Sequence, residues 1–220
     1  MNDILSYIED LKRNNNREWF HENKDRYDKV RGTFTSLISE IIAKLQFADP
    51  RLAGLEAKDT IFRIYRDIRF SKDKTPYKTH FSAYIARGGR KSKEAGYYVH
   101  VSKEELFIGA GVYQPEKEDL KAIRQEILYQ PEQFKSLVKS LEKSGFHLME
   151  DDKLKIGPKD YPKDSPYIEY LKFKHFIAMK EFNLSDIKKG NYTEVVMHQF
   201  SKAATFTEFL NSAMEFKGNE

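Results

Sequence analysis

The stretch "GYYVHVSKEELFIGAGV", Gly96–Val112, decides the fold. It holds two runs of strand length, 96–102 and 105–112, in which side chains alternate between two faces. Lys103 and Glu104 separate them at hairpin distance, although neither is a favoured turn former. Working outward, the same period of two covers 60–70 and 80–87. Residues 60–112 therefore read as a four-stranded antiparallel meander.

Helical spacing takes over on both sides. Towards the N-terminus, Ile4, Leu5, Ile8 and Leu11 place one apolar face on a helix over 3–13. The run Asn14–Asn16 ends it, and Asn16 is placed to cap the next helix. That second helix is read over 17–46, with a stripe from Phe20 and Tyr27 to Ile41 and Leu45 and a bend point at Gly32. Beyond the meander, Pro115 and Pro131 each stand where a helix begins, and Gly145 ends the second of these. Pro166 opens a short helix to about 173, and 175–182 reads as a strand. Helices follow near 191–203 and 205–216, the latter with a capping box of Thr205 and Glu208. The expectation is an α+β fold, an antiparallel β-meander packed against N-terminal and C-terminal helices. It is read as one domain over 1–220, with a helical lead 1–50, a sheet core 58–112 and a mixed tail 115–217.

Composition narrows the functional classes. The 220-residue chain is 40% hydrophobic, with 16 Phe and 13 Tyr, enough to bury a core. It has no cysteine, which excludes disulfides, thiol catalysis and thiolate metal sites and suits a cytoplasmic protein. No run approaches ~20 apolar residues, and "MNDILSYIEDLKRNN" lacks the basic-then-apolar order of a signal peptide, so no membrane association is expected. No P-loop, G-x-G-x-x-G, G-x-S-x-G or HExxH motif occurs, and neither cofactor nor metal is expected.

Charge is uneven. The net charge is +4, but Arg63–Lys93 contains ten Lys and Arg against two acids, +8, leaving −4 for the rest of the chain. The densest part is "FRIYRDIRFSKDKTPYKTH", Phe62–His80. Read as a strand to residue 70, it puts Arg66 in a row with Phe62, Ile64 and Ile68, and Arg63, Asp67 and Arg69 in the other row. An Arg on an apolar face needs a partner. Either an acid on a packing helix supplies it, or Arg66 floors an anion pocket. Lys72, Lys74 and Lys78 flank a turn at Thr75-Pro76, with Tyr77 over it. His80 opens the next strand, and across the meander His100 shares its face with Ser82, Tyr84 and Tyr98, while Asp67 with His80 forms the candidate acid–base pair.

The Phe62–His80 stretch resembles the central signature of the bacterial and fungal family known as domain of unknown function 2461. Supporting fragments lie in the same order: "NNNREWFHENKDRYD" at 14–28, "GYYVHV" at 96–101, "GAGVYQP" at 109–115, "LKAIRQEI" at 120–127 and "LKIGPKDYPKDSPYIEYLKFKHF" at 154–176. The family's name states no activity, so the resemblance implies no catalytic residue. It does imply that Arg63, Arg66, Asp67, Arg69, Phe70, Lys74, Pro76, Tyr77, Lys78, His80, Arg124, Lys155 and Lys174 occupy patterned positions. Where members often read Pro-Lys-Gly-Phe, this chain has Pro158-Lys159-Asp160-Tyr161, which puts a tight-turn glycine there in doubt.

The expected site therefore comprises Arg63, Arg66, Arg69, Lys74, Tyr77, Lys78, Arg124, Lys155 and Lys174 as ligand-binding residues, with Asp67 and His80 as proton carriers. Three functions are compatible with it. One is a pocket for a small anionic, phosphate-bearing ligand, with or without chemistry on it. Another is a nucleic-acid-binding module with Tyr65, Tyr77, Tyr84 or Tyr98 stacking on bases. The last is a structural or interaction protein whose Arg/Asp network only stabilises the fold.

Overall fold

The computed structural model describes residues 1–183 and 191–216. Five strands form one antiparallel sheet in the order β1-β2-β3-β5-β4: β1 Phe81–Ile85, β2 Gly96–Val101, β3 Leu106–Val112, β4 His147–Leu148 and β5 Phe176–Glu181. The fold is α+β, as the alternation of Gly96–Val112 implies. At the β2–β3 turn, the Ser102 amide and hydroxyl both donate to Glu105 O, at 2.9 and 3.0 Å, and the Glu105 amide donates to Ser102 Oγ. Flanking polar groups thus close a hairpin that Lys103 and Glu104 do not specify.

The chain divides into two compact units. The first comprises Met1–Arg90, Tyr98–Ile108 and Glu181–Met197. Its helix α1 (Asn2–Arg13) buries Ile4, Leu5, Tyr7, Ile8 and Leu11, with Asp3 in the first turn and Lys12 and Arg13 in the last, opposite in sign to the helix dipole. Asn16 caps α2 (Arg17–Glu22) by accepting from the Trp19 amide at 2.9 Å. The helix expected over 17–46 is two: α3 (Lys24–Ala48) starts anew after Asn23 and runs through Gly32 without interruption. Asn23 causes the break. It leaves helical geometry at φ −103°, ψ 20°, and its side-chain amide donates to Trp19 O at 2.9 Å. Beyond it, Tyr27 and Phe34 of α3 lie 6.2 and 5.4 Å from the ring of Phe81 on β1, the centre of this unit's core.

The strand expected over 60–70 is absent, and the departure has a geometric cause. After a short helix α4 (Ala57–Thr60), isolated antiparallel bridges join Ile61 to Ala83 and Tyr65 to Tyr77. Four steps separate Ile61 from Tyr65, but six separate Tyr77 from Ala83, so the second segment carries two extra residues. A regular ladder cannot absorb them, and the pairing opens into a bulge between Lys78 and Ser82. Alternation fails with it: Ile61 and Ile64 are both buried, and Phe70 is 95% exposed.

The second unit comprises Lys91–Tyr97, Gly109–Lys180 and His198–Glu220. Here α5 (Lys117–Tyr129) starts two residues after Pro115, α6 (Pro131–Lys143) starts at Pro131, and Gly145 at φ +81° ends α6, with the Phe146 amide bonded back to Leu141 O at 3.0 Å. A short helix α7 covers Ile168–Leu171. Phe134 gathers the rings of Phe176, Phe206 and Phe209 at 5.5–6.1 Å. The two C-terminal helices expected are one, α8 (Tyr192–Glu215), and Thr205 lies inside it. Ala203 and Ala204 precede Thr205 and favour continuation, whereas an interior threonine costs only tenths of a kcal/mol. At 158–161, Asp160 keeps φ negative while the Tyr161 amide bonds Pro158 O at 3.3 Å, so this turn does not need the glycine.

Gly111 sits at φ +131°, and a Cβ there would stand 1.9 Å from Phe176 O. Gly111→Ala is expected to cost about 1–3 kcal/mol in backbone strain, with steric overlap added. Urea denaturation should show the lowered midpoint.

Candidate functional site

The segment after the Tyr65–Tyr77 pair is a braced loop rather than a continuing strand. Arg66 N donates to Pro76 O at 2.9 Å and Lys78 N to Ile64 O at 2.8 Å, fixing its two ends. Asp67 Oδ1 accepts from the Arg69 amide at 3.3 Å, and Asp73 Oδ1 from the Thr75 amide at 2.9 Å, two side-chain turns that reverse the chain. The basic residues are largely engaged within this loop. Arg66 reaches Asp73 Oδ2 at 2.5 Å, Thr75 O at 3.1 Å and the Thr75 hydroxyl. Its counter-charge is therefore seven residues along the loop, not on a packing helix. Arg69 pairs with Asp67 through Nε and Nη2 at 3.0 and 2.7 Å, and Lys74 donates to Ile68 O at 3.0 Å. Arg90 donates to Lys58 O and Asp59 O at the end of α4.

These bonds bear on the acid–base candidates. Arg69's side chain and amide hold the Asp67 carboxyl down to about 2. The Thr75 amide and the Arg66 side chain do the same for Asp73, also to about 2. A carboxylate held that low is a weak base near neutrality.

On one side of the paired segments lies an open groove of about 700 Å³. Asn15 positions its wall, its side-chain amide donating to Tyr77 O at 2.9 Å and accepting from Tyr77 N at 3.1 Å. Tyr77 then stacks on Phe20 of α2, 4.0 Å apart and 16° from parallel, with Tyr65 5.5 Å from Tyr77. The charged side chains lining the groove are Arg17, Lys24 and Arg66, joined by His21, and no carboxylate is among the lining residues. Lys24 also contacts Asp28 at 2.5 Å. Of the expected residues, Arg66 and Tyr77 are here. Arg17, His21 and Lys24 were not anticipated, although Arg17 and His21 stand four apart on one face of α2 after the capping Asn16, and Lys24 opens α3.

On the sheet, a second group of expected residues meets. The rings of His80 and His100 are 4.4 Å apart, and His100 stacks on Phe107 at 4.5 Å. Tyr98 Oη is 3.2 Å from His100 Nδ1, so the expected shared face of His80, Tyr98 and His100 is present. Lys78 lies 5.4 Å over the Phe62 ring, and burial, then Arg63, pushes its ammonium pKa down. Burial, aided by Lys78, lowers His80 to about 4. Burial, aided by His80, lowers His100 to about 4. Both rings are neutral at pH 7, and an anion bound beside them would raise these values.

Arg124, Lys155 and Lys174 belong to the second unit. Lys174 pairs with Asp152 at 2.8 Å, Lys155 is exposed, and Arg124 is buried. Among the described residues no three His, Asp or Glu side chains gather to hold a metal, and no helix is long and apolar enough to cross a membrane.

The class is thus an α+β protein with a cationic, tyrosine-walled groove beside a bulged hairpin and a neutral histidine pair on its sheet. The chain belongs to the conserved hypothetical protein family DUF2461, whose family model matches residues 3–209. No curated protein and no solved structure gives a match.

The histidine pair makes a pH prediction. A folded-state pKa of about 4 against 6.5 means that the unfolded chain binds protons more tightly. This contribution to stability is complete above pH 6.5 and is lost as the pH falls towards 4. Urea midpoints measured across that window should drop in the wild type. The slope should be shallower in the His80→Gln/His100→Gln double variant.

Proposed function

We propose that the groove of the first unit binds a small anionic, phosphate-bearing ligand. One observation carries this reading: the charged groups lining the groove are Arg17, Lys24 and Arg66, with His21 beside them and no acid among the lining residues. Planar guanidinium groups suit phosphate and carboxylate oxygens, which they engage with paired, charge-assisted hydrogen bonds. Tyr65 is half exposed next to the Phe20–Tyr77 stack, so a ligand with a flat ring, such as a nucleotide, gains a stacking face. The expected ligand-binding residues take different parts in this proposal. Arg66 and Tyr77 contact the ligand. Arg69 and Lys74 brace the loop that carries Arg66. His80 belongs to the histidine pair and Lys78, with Arg63 acting on it, lies beside it, so any chemistry on the ligand would draw its proton carrier there.

A second reading has its own observation. Phe70 stands 95% exposed at the loop, with the Arg69 guanidinium 5.9 Å from its ring and Lys72 and Lys74 following in sequence. An exposed ring among cations suits single-stranded nucleic acid, whose bases stack while its phosphates are neutralised. The two readings separate by salt. A small ligand binds with modest salt dependence, whereas a polymer releases counterions and weakens steeply as salt rises.

The test is a thermal-shift panel of inorganic phosphate, mononucleotides, sugar phosphates and short single-stranded RNA and DNA at two salt concentrations. A small anion at one hundred times its Kd should stabilise the protein by about 2.7 kcal/mol. Arg17→Ala should weaken that ligand by roughly 10- to 100-fold, the worth of a hydrogen bond to a charged group. Arg17 has no ion pair among the described residues, so the fold should be unharmed. Stabilisation by polymers alone, and only at low salt, would transfer the assignment to nucleic acid. No stabilisation by any member would leave the Arg66–Asp73 and Arg69–Asp67 pairs as fold-stabilising contacts only.

A further inference from the structure

Arg124 lies in the third turn of α5, between core residues Ile123 and Ile127, and is only 9% exposed. Its guanidinium makes one hydrogen bond, from Nη2 to Phe173 O at 3.0 Å. Nε is fully buried and has no hydrogen-bond partner. No carboxylate among the described residues forms an ion pair with it. A carbonyl satisfies a donor but does not neutralise a charge, and a buried Arg is ordinarily matched by an acid. Burial pushes the Arg124 pKa down, with Tyr161 alongside pulling the other way.

Phe173 O, its one acceptor, belongs to a segment held in place by further contacts. Asp152, at φ +61°, accepts from Lys174 Nζ at 2.8 Å. Gln114, at φ +49°, donates its amide to His175 Nδ1 at 3.1 Å. These are the two non-glycine residues with positive φ among the described residues, and each bonds one of the two residues that follow Phe173. Such backbone is unfavourable and persists where the surroundings impose it. Arg124 is thus bonded to a fixed carbonyl while its Nε–H remains unpaired. Tyr161, whose phenol donates to Lys121 O at a long 3.3 Å, is the neighbouring polar group able to turn towards a bound oxygen.

We propose that Arg124 anchors a second small-oxyanion site in the second unit, taking a phosphate or carboxylate group on the terminal guanidinium N–H groups that Phe173 O leaves unused, with the Tyr161 hydroxyl as a further donor. This site does not depend on the groove and holds or fails without it.

The first experiment uses wild-type protein and needs no substitution. The arginine Nε–H resonances are followed by NMR while inorganic phosphate, and separately acetate, is added at constant ionic strength. The Arg124 signal should move saturably with one or both anions, and the anion that moves it names the ligand chemistry. If it stays still with both while the protein remains folded, the proposal is overturned. Thermal shifts with Arg124→Met, which keeps an apolar stem, and with Arg17→Ala then separate the two sites. Arg124→Met should weaken the anion that moves the Arg124 signal by roughly ten-fold or more, as expected for loss of a charge-assisted hydrogen bond. Arg17→Ala should leave that binding intact. Retention of the full effect by Arg124→Met would also overturn the proposal.

Discussion

The two-residue mismatch between the bridges Ile61–Ala83 and Tyr65–Tyr77 is the constraint on which the first unit's candidate surfaces depend. Regular pairing would extend the sheet outward from β1 and send successive side chains to alternate faces. The mismatch instead lets the Phe62 amide bond Ser82 O while the Lys78 amide bonds Ile64 O, and the intervening residues bulge. Bulges re-aim side chains. Tyr77 is thereby left stacked on Phe20 at the groove, and His80 against His100 on the sheet.

The loop beyond the mismatch shows how dense charge coexists with a stable fold. Arg66 and Asp73, Arg69 and Asp67, and Lys74 and the Ile68 carbonyl form short-range pairs that define the turn. Exposed pairs of this kind contribute little each. Their effect is geometric, holding Arg66 at the groove's edge. Arg17 and His21 are different: their side chains have no ion pair or hydrogen bond among the described residues, and they stand one helical turn apart on α2. The strongest basic signal in the chain therefore brings one guanidinium to the groove, and the helix supplies most of the rest.

This distribution explains what could be read in advance. The hairpin over Gly96–Val112, the Asn16 cap and the Gly145 terminus were legible because each is a local rule satisfied within a few residues. Two apolar residues in the 61–64 segment, Ile61 and Ile64, are buried at odd spacing, which a strict period of two cannot express. The bulge was hidden because it is a relation between two registers rather than a pattern in either. The break at Asn23 was hidden because the stripe of Phe20, Tyr27, Phe34 and Ile38 continues across it. Arg17 and His21 lie outside the densest basic stretch, and Glu18 and Glu22 beside them offset their charge. Nor could Arg124's lack of a counter-charge be seen without its surroundings.

The central claim is that the first unit's groove is an anion site assembled from α2 and the bulged hairpin. An amide-resolved NMR titration with a nucleoside monophosphate at physiological ionic strength tests it most directly. The account predicts saturable shifts concentrated at Arg17, His21, Tyr65, Arg66 and Tyr77. Shifts confined to other parts of the chain, or none at saturating ligand, would contradict it.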